Sequence, residues 1–83
     1  MGRQRRRVVS EQDLRDRIGR QVRRLRTEAG LTVRAAAARV GMHERVWQKV
    51  EGSETNPTLD TLRRIANALG VDPVVLLGDT LDG

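Results

Sequence analysis

The stretch 32-TVRAAAARVGMHERVWQKVE-51 decides how this chain is read. Thr32 suits a helix start, because its hydroxyl can accept from a backbone N–H that has no partner in the first turn. Ala35, Ala36, Ala37 and Ala38 follow; alanine favours helix and lets a neighbour come close. The pattern predicts a helix from Val33 to about Arg39, broken at Gly41. A further helix over 44–51, opened by His43 or Met42, carries Val46, Trp47 and Val50 on its apolar side. Ala37, four residues before Gly41, supplies a small contact where two helices cross. Gly41 turns the chain without steric penalty, and Trp47 and Val50, three apart, anchor the later helix. Short helix, tight glycine turn, anchored short helix is the pattern of a helix-turn-helix.

The positions left facing outward on the later helix are Glu44, Arg45, Gln48 and Lys49. Their chemistry matches base edges: arginine and lysine read guanine or phosphate, glutamine reads adenine, and glutamate accepts from cytosine. In a helix-turn-helix the first helix crosses the DNA backbone and the second enters the major groove. Trp47, the sole aromatic residue, falls at a core spacing and is expected inside.

Outward from this unit the chain stays helical. Ser10 with Asp13 three residues on reads as a shortened capping box. Leu14, Ile18, Val22 and Leu25 then mark one face of a helix that runs to about Ala29 and stops at Gly30. After a Gly52–Pro57 loop, Thr58 caps a fourth helix with Leu59, Leu62, Ile65, Ala66 and Leu69 inward, ending at Gly70. Asp72-Pro73 places a cap before a proline at the first helical position and opens a short fifth helix with Val74, Leu76 and Leu77. The expectation is an all-α, five-helix domain over residues 10–78, preceded by a basic disordered arm (1–9) and followed by a short tail (79–83).

Charge is distributed unevenly. Residues 1–30 carry ten arginines against four acids, residues 31–50 four basic groups against Glu44, and residues 51–83 two arginines against six acids, giving +6, +3 and −4 and the overall +5. A basic face of this kind points to a polyanionic partner. With 83 residues and no cysteine, the chain holds one small core that neither disulfide nor thiolate metal site can staple, so a second copy would help to stabilise it. The N-terminus lacks an apolar secretion core and no run is long enough to span a bilayer, so a cytoplasmic protein is expected. His43 has no second histidine or cysteine with which to hold a metal, and no phosphate loop or nucleophile–base pair suggests an enzyme.

Residues 18–77, through LRTEAGLT, the alanine helix ending in VG, the VE that closes the next helix, NPTLDTLRRIANALGV and the short last helix, resemble the phage-repressor/Cro type of helix-turn-helix, the XRE family. The resemblance implies a lambda-repressor-like five-helix fold, double-stranded DNA as partner, a homodimer, and transcriptional regulation, with repression the expected outcome. It places Glu44, Arg45 and Lys49 at base-contacting positions with Gln48 close by, His43 at the start of the recognition helix, and Arg26 and Glu51 where members pair the first helix with the end of the third, the arginine also facing a phosphate. The sequence departs from the family at Val33, where glutamine is common, at Ala35 and Ala36, at Trp47, and at Ser53, where a glycine usually stands; here glycine comes one residue early, at Gly52.

The expected DNA-facing set is therefore Glu44, Arg45, Gln48 and Lys49 on the readout helix with His43 at its start, Thr32 and Arg34 on the helix before it, Arg26, and the arm residues Arg5, Arg6 and Arg7. The expected dimer surface is Val74, Leu76, Leu77 and Leu81, too much apolar area for so short a helix to bury in its own domain. No cofactor, metal or small-molecule ligand is expected. The competing reading is an antitoxin-type protein-interaction module that also binds its own operator. It shares the fold but usually needs a segment beyond it, and the chain ends six residues after Leu77.

Overall fold

The computed structural model describes residues 9–78. Within them α1 (Glu11–Glu28), α2 (Val33–Arg39), α3 (Glu44–Glu51) and α4 (Leu59–Leu69) are α-helices, and Pro73–Leu77 is a 3-10 helix. The expected fifth α-helix is thus wound more tightly. Its cap and its proline are as read, since the Asp72 side chain accepts from the Val74 N–H and Pro73 opens the element. Its bonds run i→i+3, from the Val75 N–H to the Asp72 carbonyl and from the Gly78 N–H to that of Val75, a form common in pieces this short.

The helix starts follow from their capping side chains. Ser10 and Asp13 form a reciprocal capping box, Thr32 accepts from the Ala35 N–H, and Thr58 from that of Thr61. The two glycines that matter most to the architecture lie in the left-handed region, Gly41 (φ 61°) in the α2–α3 turn and Gly70 (φ 71°) at the end of α4. A side chain there would be strained.

The core is built from Ile18 and Val22 of α1, Ala36 and Ala37 of α2, Trp47 and Val50 of α3, Ile65, Ala66 and Ala68 of α4, and Leu76. Leu25, Leu31, Leu62 and Leu69 pack around it. α3 packs against α1 and α2, while α4 packs against α2 and the 3-10 helix. Two expectations about inward faces are corrected. Leu59 is 85% exposed and Val46 is also exposed, because both lie in the first turn of their helices, where side chains point back past the helix start and away from its packing partners. In α4 the buried stripe is displaced toward Ala68, whose carbonyl receives the Arg39 Nη1 at 3.0 Å from the end of α2.

Candidate nucleic-acid interface

The exposed face of α3 is set by how the helix is held. Trp47 and Val50 are buried beneath it, so helical geometry sends Glu44, Arg45, Gln48 and Lys49 to the opposite side. All four are exposed. His43 caps the helix through Nδ1, which accepts from the Arg45 N–H at 3.3 Å. That bond requires Nδ1 to be unprotonated, so in the neutral ring Nε2 carries the proton and is the free donor. Thr32 and Arg34 are exposed at the start of α2. The Thr32 oxygen accepts from the Ala35 N–H, and its own hydroxyl proton remains available to an acceptor.

The C-terminal end of α3 is fixed by a partly buried network. The Glu51 carboxylate accepts from Arg26 Nε at 2.5 Å, from Arg26 Nη2 at 2.9 Å and from the Trp47 indole Nε1 at 2.7 Å. Arg26 Nη1 donates to the Leu31 carbonyl at 2.8 Å. One guanidinium therefore ties α1 to the α1–α2 loop and to α3, with side-chain exposures of 13% for Arg26 and 9% for Glu51. The bond to Glu51 raises the Arg26 pKa above the ordinary arginine value, burial opposing it. Three of the five N–H donors of Arg26 are engaged inside the protein, leaving two without a partner among the described residues.

The turn after α3 answers the displaced glycine noted in the sequence. The Ser53 N–H bonds to the Val50 carbonyl at 3.1 Å and the Glu54 N–H to that of Lys49 at 2.9 Å, a Schellman arrangement with Ser53 at the left-handed position. Its φ of 59° is the one positive value at a non-glycine residue among those described. The serine hydroxyl donates to the Arg15 carbonyl at 3.3 Å and Gln12 Nε2 donates to the Ser53 carbonyl at 3.4 Å, so contacts with α1 hold the unfavourable conformation. Helix α1 approaches this closely because of Gly19. A Cβ there would stand 2.8 Å from the Glu51 carbonyl oxygen and 2.9 Å from that of Val50.

An open depression on the exposed side of α3 is lined by Arg45, Gln48, Lys49 and Glu54. Sequence reasoning did not single out Glu54; the glycine displaced from position 53 to 52 was the available signal for it. The structure brings Thr32, Arg34, His43, Glu44, Arg45, Gln48 and Lys49 to the exposed surface of the α2–turn–α3 unit, with Arg26 behind it. Arg5, Arg6, Arg7 and Leu81 lie outside the described residues. Of the expected dimer residues, Leu76 is fully buried in its own domain and so is not available to a partner. The 3-10 winding turns it into the core, where Gln21 Nε2 secures the adjacent Val75 carbonyl at 2.9 Å. Val74, 65% exposed, and Leu77, also exposed, face outward.

No helix of the described residues is long and apolar enough to cross a membrane, and no three metal-ligating side chains converge among them.

The model of the helix-turn-helix domain family HTH_31 matches residues 17–77. An uncharacterized HTH-type transcriptional regulator of Sinorhizobium fredii, y4dJ, is 40% identical over 68 residues, which are 82% of this chain and 88% of that protein. Among solved structures, an HTH_3 family transcriptional regulator from Vibrio cholerae superposes with a TM-score of 0.77 at 27% identity, covering 81% of this chain; the chain spans 38% of that protein's length. The restriction-modification controller protein C.AhdI from Aeromonas hydrophila gives 0.72 at 29% identity, covering 75% of this chain and 94% of the controller. A hypothetical transcription factor, NHTF, from Neisseria gives 0.76 at 29%, covering 87% and 83%.

Proposed function

Because the chain belongs to the helix-turn-helix domain family of transcriptional regulators, we propose that it recognises a specific sequence of double-stranded DNA with α3 in the major groove. The observation that carries this reading is the outward presentation of Glu44, Arg45, Gln48 and Lys49 on a helix whose other side is anchored by buried Trp47 and Val50. These four side chains supply donors and acceptors for base edges. Thr32, Arg34, His43 and the remaining donors of Arg26 serve phosphates on the flanks, and Arg5, Arg6 and Arg7 add contacts from the N-terminal arm. The protein acts at its operator in the cytoplasm, as a repressor, the outcome implied by its likeness to phage repressors.

One such domain covers few base pairs, and a two-fold dimer would double the footprint with two readout helices about 34 Å apart. The exposure of Val74 and Leu77 supports a homodimer through the 3-10 helix.

The test is selection of bound sequences from a random duplex pool at fixed salt, followed by stoichiometry on the recovered duplex. A symmetric site with half-sites one helical turn apart and two chains per duplex is expected. Failure to enrich any sequence would refute specific readout. One chain per duplex on an asymmetric site would refute the dimer alone.

A further inference from the structure

Given the DNA-binding reading above, we infer that Glu54 is a specificity-determining residue: a positioned anion that penalises contact with phosphate and is compensated where the groove edge offers an amino group. The observations begin with its surroundings. Glu54 shares an open depression with Arg45, Gln48 and Lys49, so a carboxylate sits among the cations and the amide of the readout helix. No ion pair within 4.0 Å joins it to a described basic side chain.

Its backbone is held in place. The Glu54 N–H is bonded to the Lys49 carbonyl at 2.9 Å, and the residue before it is held in the left-handed region at φ 59°. The side chain then folds over Gly52. A Cβ at that glycine would lie 2.7 Å from Glu54 Oε2. The backbone of Gly52, at φ −85° and ψ 3°, is open to any residue, so conformation does not require glycine there. What the missing Cβ provides is room for the carboxylate. With glycine at 52 and serine at the left-handed position 53, the Glu54 carboxylate can lie across the end of α3 beside Arg45, Gln48 and Lys49.

Phosphate is an acceptor and an anion, so a carboxylate on this face repels it at every sequence alike. On a base edge the same oxygen can accept from the exocyclic amine of cytosine. The penalty is therefore uniform on unspecific DNA and relieved at a suitable site, which widens the gap between the two.

The experiment compares binding of the full chain, wild type, E54Q and G52A, to a random-sequence duplex and to the duplex recovered by selection, across a salt series. For E54Q the random duplex should bind about three- to ten-fold more tightly at low salt, since one repulsive charge a few ångströms from phosphates is removed. The salt slope should steepen by up to about 0.9. The selected duplex should gain less or lose affinity, so the specificity ratio falls by about three- to ten-fold. G52A pushes the carboxylate from its seat without removing its charge, so the ratio should fall while the salt slope stays at the wild-type value. Equal gains on both duplexes, or no gain on the random one, would overturn the inference, as would an unchanged ratio in G52A. Circular dichroism confirms that both variants are folded. A wild-type chain that binds neither duplex would instead remove the DNA-binding reading, and this inference with it.

Discussion

Replacing Glu51 by alanine should cost this domain much of its stability. Glu51 accepts three hydrogen bonds, two from Arg26 and one from the Trp47 indole, and both charged side chains are largely out of water. Removing one member of a buried ion pair costs about 3–5 kcal/mol, because the surviving charge loses its partner without regaining solvent. The indole N–H, in a fully buried side chain, would also be orphaned, at about 1–3 kcal/mol. Groups that share one carboxylate are not additive, so a total of about 3–5 kcal/mol is expected. At about 0.05–0.15 kcal/mol per residue, a domain of 83 residues holds about 4–12 kcal/mol in all. E51Q, which keeps one acceptor, should lose about half as much. The double variant R26M/E51M should recover most of the loss, since an apolar pair can replace a buried ionic one, but not the share that belongs to the indole; adding W47F should reveal that remainder. Urea unfolding followed by circular dichroism and by the single tryptophan measures each ΔΔG. An E51A midpoint shift equivalent to less than about 1 kcal/mol would refute the argument. Because the arginine pKa is raised, its part of the stabilisation is present at all pH values below the ordinary arginine value and is lost only above it. It should not vary between pH 5 and 9.

Gly19→Ala should destabilise by up to about 2 kcal/mol in urea unfolding: overpacking against two backbone carbonyls costs about 1–3 kcal/mol, offset by about 1 kcal/mol of helix propensity, and net stabilisation would show that α1 and α3 do not meet closely there. Arg45→Ala should cost about 1–3 kcal/mol at one base pair of the selected duplex and relax preference at that position; uniform weakening on all duplexes would assign Arg45 to phosphate. The Arg63 hydrogen bond, with the charges of Arg63 and Arg64, holds the Asp60 carboxyl below its ordinary value of 3.8. Its contribution is therefore present above that value and disappears as pH falls through the lower folded one. D60N should flatten the acid limb of the stability curve slightly, and an identical limb would remove the pair from the account.

Local chemistry made most of the fold legible. Ser10, Thr32, Thr58 and Asp72 each cap the helix that the sequence assigns to them, because a capping hydroxyl or carboxylate acts on a backbone N–H two or three residues away and needs no distant partner. Trp47 and Val50 were placed inside by spacing alone. The Arg26–Glu51 pair was legible only through resemblance to a family, since no local rule joins residues 25 positions apart. Apolar pattern misled at helix starts: Leu59 and Val46 fit the 3.6-residue stripe but lie where the helix extends past its neighbours.

The sequence by itself determined the helical class, the helix boundaries, the turn at Gly41 and the outward set on α3, all of which follow from periodicity and short-range hydrogen bonding. Tertiary structure alone decided which apolar residues were left over. Leu76 went to the core and Val74 to solvent, although both belong to the same five-residue segment, because the direction of each depends on the 3-10 winding and on where α1 and α4 meet it. It also decided that a serine could hold a left-handed turn, by bringing the Arg15 carbonyl to its hydroxyl, and that Gly52 would leave space for Glu54. These outcomes rest on atoms far apart in the chain, whose proximity is a property of the packed molecule and not of any short stretch of it.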